Sequence, residues 1–172
     1  MGKNSKSAKV AYPAILGALS LILVYIASIA PSGNWGFVAV AGLFPAAAVI
    51  SVGMKAGFLC WACVSVLSFL ILPGKFCALL FTVLFGLYPM VKALSERVRR
   101  KGMRYVLKLV FFNAAFTLIF VVMKAAVLDS LPSVLTIPWL LYGVANVVFL
   151  LYDFGFSKLI GFYIARIGRA VK

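Results

Sequence analysis

The chain has 172 residues, of which 65% are hydrophobic, and its formal net charge is +14. Soluble domains are roughly 45–50% apolar, and a chain as apolar as this one cannot cover itself with polar surface. The composition therefore excludes an ordinary soluble domain. The basic residues lie between apolar runs, which favours anionic lipid headgroups and acidic protein surfaces as partners and disfavours nucleic acid.

The N-terminal half predicts an uncleaved first membrane span followed by three more. A basic N-terminus precedes the apolar stretch 10–30, which is long enough to cross a bilayer. A cleaved signal sequence is the alternative, but cleavage after Ala30 would leave Pro31 at the next position. Turn residues separate the stretches that follow. The four predicted spans are 10–30, 37–52, 58–72 and 76–91.

The C-terminal half predicts two spans, 105–128 and 137–152, after a basic connection at 92–104. In the tail 156–172, four basic residues are interleaved with apolar residues in a pattern that predicts an amphipathic helix on the membrane surface. The six spans consume nearly the whole chain, so 1–172 is predicted to be a single transmembrane domain.

The distribution of Lys and Arg predicts the orientation of the spans. With both termini in the cytoplasm, the outer segments hold only Lys75 and Lys124, while the remaining basic residues lie inside. The predicted fold is therefore all-α, a polytopic bundle of six transmembrane helices with cytoplasmic N- and C-termini.

Polar residues recur along one face of each of the last two spans. In span five, Asn113, Thr117 and Lys124 are spaced by four and seven residues, which places them on one helical face. Because polar side chains in lipid need partners, we expect this face to meet the corresponding stripe of span six. That stripe consists of Trp139, Tyr142, Asn146, Phe149 and Asp153.

The outward part of the two stripes is typical of a small-molecule pocket, which we expect on the outer side between spans four, five and six. Lys124 would meet a carboxylate or phosphate, Trp139 and Tyr142 would stack on the ligand, and Asn146 would form a hydrogen bond with it. Asn113 and Thr117 are assigned to the same site, with Asn113 expected near the inner side beside Asp153. The alternative is that Lys124 snorkels to the outer headgroups and the asparagines only join the helices.

Asp153, on the inward side, is interpreted as structural. It is expected to pair with Lys108 or with an arginine of the tail.

The sequence offers no recognisable catalytic or cofactor chemistry. The chain has no His and three acidic residues, and it shows no nucleophile with a base, no metal-ligand cluster and no phosphate-binding loop. Cys60 and Cys63 have redox-pair spacing but lie within a predicted span, without the strand and helix context of such motifs. We therefore expect a protein that is not an enzyme and needs no cofactor or metal.

Small residues in the first span suggest a way for a partner to dock. Ala14 and Ala18 flank Gly17 in an A-x-x-x-A pattern, which lets another helix approach closely. With this motif, the small-residue hairpin from Phe44 to Gly57 and the polar outer halves of the later spans, the chain resembles the substrate-binding S component of an energy-coupling factor transporter.

That resemblance implies a subunit of a bacterial or archaeal plasma membrane that captures a vitamin or a precursor on the outer side. It implies a transmembrane coupling subunit that contacts Ala14 and Ala18, and two cytoplasmic ATPases that drive transport. It also places Asn34 and Trp35, in the turn after span one, at the substrate pocket. Two other functions stay open: a scaffold that organises envelope or cell-shape proteins, and a lipid-handling membrane subunit.

Overall fold

The computed structural model describes the backbone of residues 3–126 and 138–167, and the side chains of 10–100, 102–123, 139 and 142–165. Within these ranges the regular structure is helical and no strand occurs. The helices are α1 (Lys3–Ile29), α2 (Asn34–Ala41), α3 (Leu43–Ser51), α4 (Met54–Ile71), α5 (Lys75–Leu80), a π-helical turn (Phe81–Phe85), α6 (Tyr88–Ser95), α7 (Lys101–Ala126) and α8 (Pro138–Ile167).

Six helical stretches are long and apolar enough to cross a membrane, which confirms the predicted all-α, six-span class. Large apolar side chains on these stretches face outward, among them Leu70 at 73% exposure and Leu151 at 68%. So many exposed apolar side chains require lipid as the surrounding solvent. The chain is therefore a multi-pass membrane protein. The six stretches are Val10–Ile29, Asn34–Ser51, Met54–Ile71, Lys75–Ser95, Gly102–Met123 and Tyr142–Ala165.

Several helix ends differ from the predicted span boundaries. The second span begins earlier than predicted, at Asn34, and consists of α2 and α3 joined at Gly42. The predicted basic connection is largely helical, because α6 continues to Ser95 and α7 begins at Lys101. The non-helical part is limited to residues 96–100, which include three of the arginines.

The C-terminal segment also differs from its prediction. Helix α8 continues without a break to Ile167, so residues 156–167 belong to the sixth helix and not to a separate surface helix. No Pro separates the tail from the span before it, and the single Gly155 between them is tolerated within the helix. The last predicted tail residues, 168–172, lie outside the described part.

The chain divides into two compact units, Met1–Leu94 and Ser95–Lys172. In the first unit, α1 packs against α2, α3 and α4, and the Ser20 hydroxyl donates a hydrogen bond to the Ala41 carbonyl at 3.0 Å. The fourth span supplies much of the interior, with Leu80, Phe81 and Tyr88 fully buried. These side chains bring the first four spans together.

A π-helical turn and two glycines allow close packing inside the first unit. The Gly86 amide donates to the Phe81 carbonyl at 2.7 Å, a bond that skips one residue more than an α-helical bond does. This turn presents the Thr82 carbonyl to the Trp61 indole, which donates to it at 3.0 Å. At the joint between α2 and α3, a Cβ added to Gly42 would lie 2.6 Å from the Phe85 carbonyl oxygen.

The second unit is built on α7 and α8, which pack against each other. Three side-chain pairs join α7 to α8: Lys108–Asp153, Asn113–Asn146 and Thr117–Tyr142. The partner number falls as the residue number rises, so the two helices are antiparallel.

The contact at Gly42 predicts a glycine-specific stability effect. Gly42→Ala should lower the free energy of unfolding by about 1–3 kcal/mol, because the new methyl group meets a backbone carbonyl that cannot rotate away. The matched control is Gly36→Ala in α2, where a Cβ meets nothing within 4 Å and helix propensity favours Ala by up to about 1 kcal/mol. Thermal unfolding of both variants in detergent, followed by size exclusion, measures the difference. Equal melting of the two would contradict the close approach.

Candidate functional site

A ladder of polar side chains joins α7 and α8 in three rungs. Each rung pairs one side chain of α7 with one of α8, at positions that share a face of their helix. Hydrocarbon offers no hydrogen bonds, so these side chains are satisfied by one another. The rungs are Lys108–Asp153, Asn113–Asn146 and Thr117–Tyr142.

The middle rung is a reciprocal amide pair. Asn113 Nδ2 donates to Asn146 Oδ1 at 3.0 Å, and Asn146 Nδ2 donates to Asn113 Oδ1 at 3.1 Å. Each amide also donates to the carbonyl four residues earlier on its own helix, Leu109 and Tyr142. Polar contacts of this kind between membrane helices contribute about 0.6 kcal/mol on average and up to about 1.7. The pair thus fixes the register of the two helices.

The third rung joins two hydroxyls. Thr117 Oγ1 donates to the Asn113 carbonyl at 2.7 Å, and it lies 2.8 Å from the Tyr142 hydroxyl. A threonine hydroxyl carries a single proton, so in this arrangement Tyr142 is the donor and Thr117 the acceptor. The Tyr142 ring meets Phe116 edge-on with centroids 5.2 Å apart. Amide and hydroxyl groups therefore lie beside aromatic rings along one strip of the unit.

The first rung is a buried ion pair. Lys108 Nζ lies 3.0 Å from Asp153 Oδ2 and 3.2 Å from Oδ1, and both side chains are 9% exposed. Removing two charges from water is costly, so the pair is stable only because each charge meets the other. Lys108 and a tail arginine were the two partners expected for Asp153. The described contact is with Lys108.

Four of the predicted substrate-binding residues come together in this ladder: Asn113, Thr117, Tyr142 and Asn146. Trp139 does not join them, because its side chain is 88% exposed. The side chain of Lys124 lies outside the described residues, so its predicted role stays a prediction.

The two remaining predicted binding residues belong to the first unit. Asn34 is the first residue of α2, and its Oδ1 is buried without a hydrogen-bond partner among the described residues. Trp35 is 55% exposed, and its ring lies 5.9 Å from that of Phe76. Both residues thus lie at the start of α2, in the first unit.

The second candidate feature is an apolar groove of about 370 Å³ between α1 and α4. It contains both alanines predicted to contact a partner, Ala14 and Ala18, which are exposed. Gly17 lies between them and packs toward α4, where a Cβ would stand 3.6 Å from Cys60 Sγ. Small residues therefore form the floor of the groove, and longer apolar side chains such as Leu67 border it.

Sequence reasoning identified one wall of this groove and missed the other. The α4 wall contains Ala56, Cys60 and Cys63, spaced by four and three residues. This spacing places the three residues on one helical face. In the sequence, Cys60 and Cys63 indicated only redox-pair spacing, and their place on a small-residue face with Ala56 was missed. Cys60 is buried and packs toward Gly17, while Cys63 is exposed along the groove. No group of metal-ligating side chains that could hold an ion occurs among the described residues.

Comparison of the chain with protein families, with curated proteins and with solved structures found no significant match.

The ion pair predicts a strong asymmetry between single and double substitutions. Asp153→Asn should destabilise the protein by about 3–5 kcal/mol, because it leaves the buried Lys108 charge without its counter-ion. The double variant Lys108→Met with Asp153→Leu should recover most of that loss, since it removes both charges together. Reversible unfolding in mixed detergent micelles measures these free energies.

The control for this cycle is Lys158→Met. Lys158 is an exposed lysine of α8 that lies over the Phe154 ring at 5.5 Å, so its loss should change stability only slightly. A double variant no more stable than Asp153→Asn would contradict the interpretation of the pair.

Proposed function

We propose that this chain is the substrate-capture subunit of an ATP-driven importer, and that it docks on a transmembrane coupling subunit through the groove between α1 and α4. The observation that carries the proposal is the groove itself. Its floor of Ala14, Gly17 and Ala18 would let a partner helix approach at backbone distance, which is how membrane helices associate when lipid removes the hydrophobic driving force.

The proposed substrate site is the strip of amides, hydroxyls and rings along α7 and α8. In the absence of ligand, Asn113 and Asn146 satisfy one another, and Thr117 bonds to Tyr142. A small molecule that carries amide or hydroxyl groups could exchange for these neutral bonds at little net cost, since both states keep their hydrogen bonds. The Phe116 and Tyr142 rings would then give the ligand an apolar contact.

The proposed orientation places both termini in the cytoplasm of a bacterium or archaeon. In that arrangement the basic residues from Lys92 to Arg104 lie inside, while the turn at Lys75 lies outside. Lys75 also donates to the Phe69 carbonyl at 2.6 Å near the end of α4, so this outer lysine has a local structural role. The cytoplasmic ATPases of the importer would then be on the side of the basic connection.

The reciprocal amide pair favours a second function. Side chains that satisfy one another, as Asn113 and Asn146 do, are also the usual means of joining membrane helices in a protein that binds no small molecule. The second candidate is therefore a non-catalytic scaffold that uses the same groove to hold another envelope protein.

Filling the groove tests the docking role. Ala18→Leu should reduce co-purification of the partner subunit by about tenfold or more, because the longer side chain occupies the space that the partner helix needs. The matched control is Ala114→Leu, the same change at an exposed alanine of α7 outside the groove. Affinity purification from the native membrane, with the co-purified proteins identified by mass spectrometry, measures the loss.

The identity of the co-purified proteins separates the two candidate functions. An importer subunit should bring a coupling protein and ATPases, and mass spectrometry of small molecules should find a retained ligand that Asn146→Leu abolishes. Cell-wall or cell-shape proteins in their place, with no retained ligand, would favour the scaffold. Equal co-purification by Ala18→Leu and Ala114→Leu would contradict docking through the groove.

A further inference from the structure

A polar pocket of about 570 Å³ lies at the basic end of the second unit, beside the buried ion pair. The connection before α7, the first turns of α7 and the later half of α8 all contribute to it. Its lining combines two cations, two carboxylates and two hydroxyls. The residues are Glu96, Arg104, Tyr105, Lys108, Asp153 and Ser157.

Arg104 is the side chain best placed to bind a ligand in this pocket. Its Nε donates to the Val98 carbonyl at 2.7 Å, which holds the guanidinium against the connecting loop. The Arg104 side chain makes no other hydrogen bond or ion pair within the described residues, so its terminal nitrogens are available to the pocket. A guanidinium fixed in this way presents a planar pair of donors, the geometry that suits phosphate oxygens.

The charge around the pocket favours an anion. The Lys108 and Asp153 charges neutralise each other across 3.0 Å. Glu96 also lines the pocket, but the segment 96–104 contains five basic residues and only this one acid. The exposed arginines of this segment are Arg97, Arg99 and Arg100. The lining itself, with two cations and two carboxylates, is balanced, and the excess positive charge lies in the adjoining segment 97–101.

The position of the pocket along the helix matches the headgroup region of a bilayer. Lys108 lies seven residues after the start of α7 at Lys101, or about 10 Å along the helix axis. The apolar part of the span continues from there, and the Tyr105 ring, which lines the pocket, is 56% exposed. A ligand with a polar head and apolar chains could thus place each part in its preferred surroundings.

We propose that this pocket is a binding site for the phosphate of an anionic phospholipid, with Arg104 as the group that contacts the phosphodiester. The site is distinct from the proposed substrate strip and from the groove between α1 and α4. Its ligand chemistry, a phosphate ester, is shared by lipid headgroups and by soluble phosphorylated molecules. The exposed ring of Tyr105 in the pocket lining favours the lipid.

The test uses the full chain, purified in a zwitterionic detergent and exchanged into micelles that contain either phosphatidylglycerol or phosphatidylcholine. Native mass spectrometry counts the lipids that stay bound. We expect a retained phosphatidylglycerol in the unaltered protein, and a loss of retention of about tenfold or more in Arg104→Gln, since a charge-assisted hydrogen-bond pair is removed. Arg104→Lys should show an intermediate loss, because it keeps the charge and loses the paired donors.

The matched control is Arg99→Gln, which removes the same charge from an exposed position outside the pocket lining. It should retain phosphatidylglycerol nearly as well as the unaltered protein, and size exclusion should show that all variants are folded. Equal loss in Arg99→Gln and Arg104→Gln would overturn the site, because the attraction would then be general to the basic segment. Displacement of the lipid by an equal concentration of inorganic phosphate, or equal retention of phosphatidylcholine, would overturn the assignment to an anionic lipid.

Discussion

Hydrocarbon cannot form hydrogen bonds, and this constraint governs the polar part of the structure. A span in lipid must satisfy its backbone within a helix, and it must find partners for its polar side chains on another helix. The asparagines of α7 and α8 meet in a reciprocal pair, and Lys108 meets Asp153. Each rung depends on the others, because a shift of one helix by a single residue would separate all three pairs.

The same constraint gives the two candidate surfaces opposite characters. The ladder joins α7 and α8 through polar bonds, whereas the groove between α1 and α4 is apolar and lined by small residues. In lipid such a groove gains little from hiding apolar area, so any stabilisation by a partner would come from close packing with a complementary helix. Substrate capture requires the ladder to exchange its internal bonds for bonds to a ligand, while docking requires no rearrangement of the groove. The groove is therefore the firmer basis for a functional proposal, and the identity of its partner decides between importer and scaffold.

Much of this arrangement could be predicted from the sequence because it depends on local periodicity. The number of spans follows from the apolar stretches, and the meeting of the two polar stripes follows from their recurrence every three or four residues. The pairing within the stripes was predicted less well, because Asn113 was expected beside Asp153 and instead meets Asn146. Helix ends were less predictable: α8 continues to Ile167 because nothing in the basic tail breaks a helix. The π-helical turn at Phe81–Phe85 leaves no periodic signal. Two features could not be predicted: Ala14 lines a groove together with residues of α4, and Arg104 lines a pocket. Both depend on tertiary packing, which one-dimensional patterns do not specify.

The central claim is that the chain crosses the bilayer with its basic connection on the cytoplasmic side, and cysteine labelling tests it most directly. In a variant with Cys60, Cys63 and Cys77 replaced by alanine, single cysteines are introduced as Ser32→Cys, after the first span, and Arg99→Cys, after the fourth. Three spans separate the two positions, so they must lie on opposite sides of the membrane. A membrane-impermeant maleimide should label Ser32→Cys in intact cells, and it should label Arg99→Cys only after the cells are permeabilised. Labelling of Arg99→Cys in intact cells would contradict the orientation, and with it the side on which the substrate strip, the lipid pocket and the ATPases are placed.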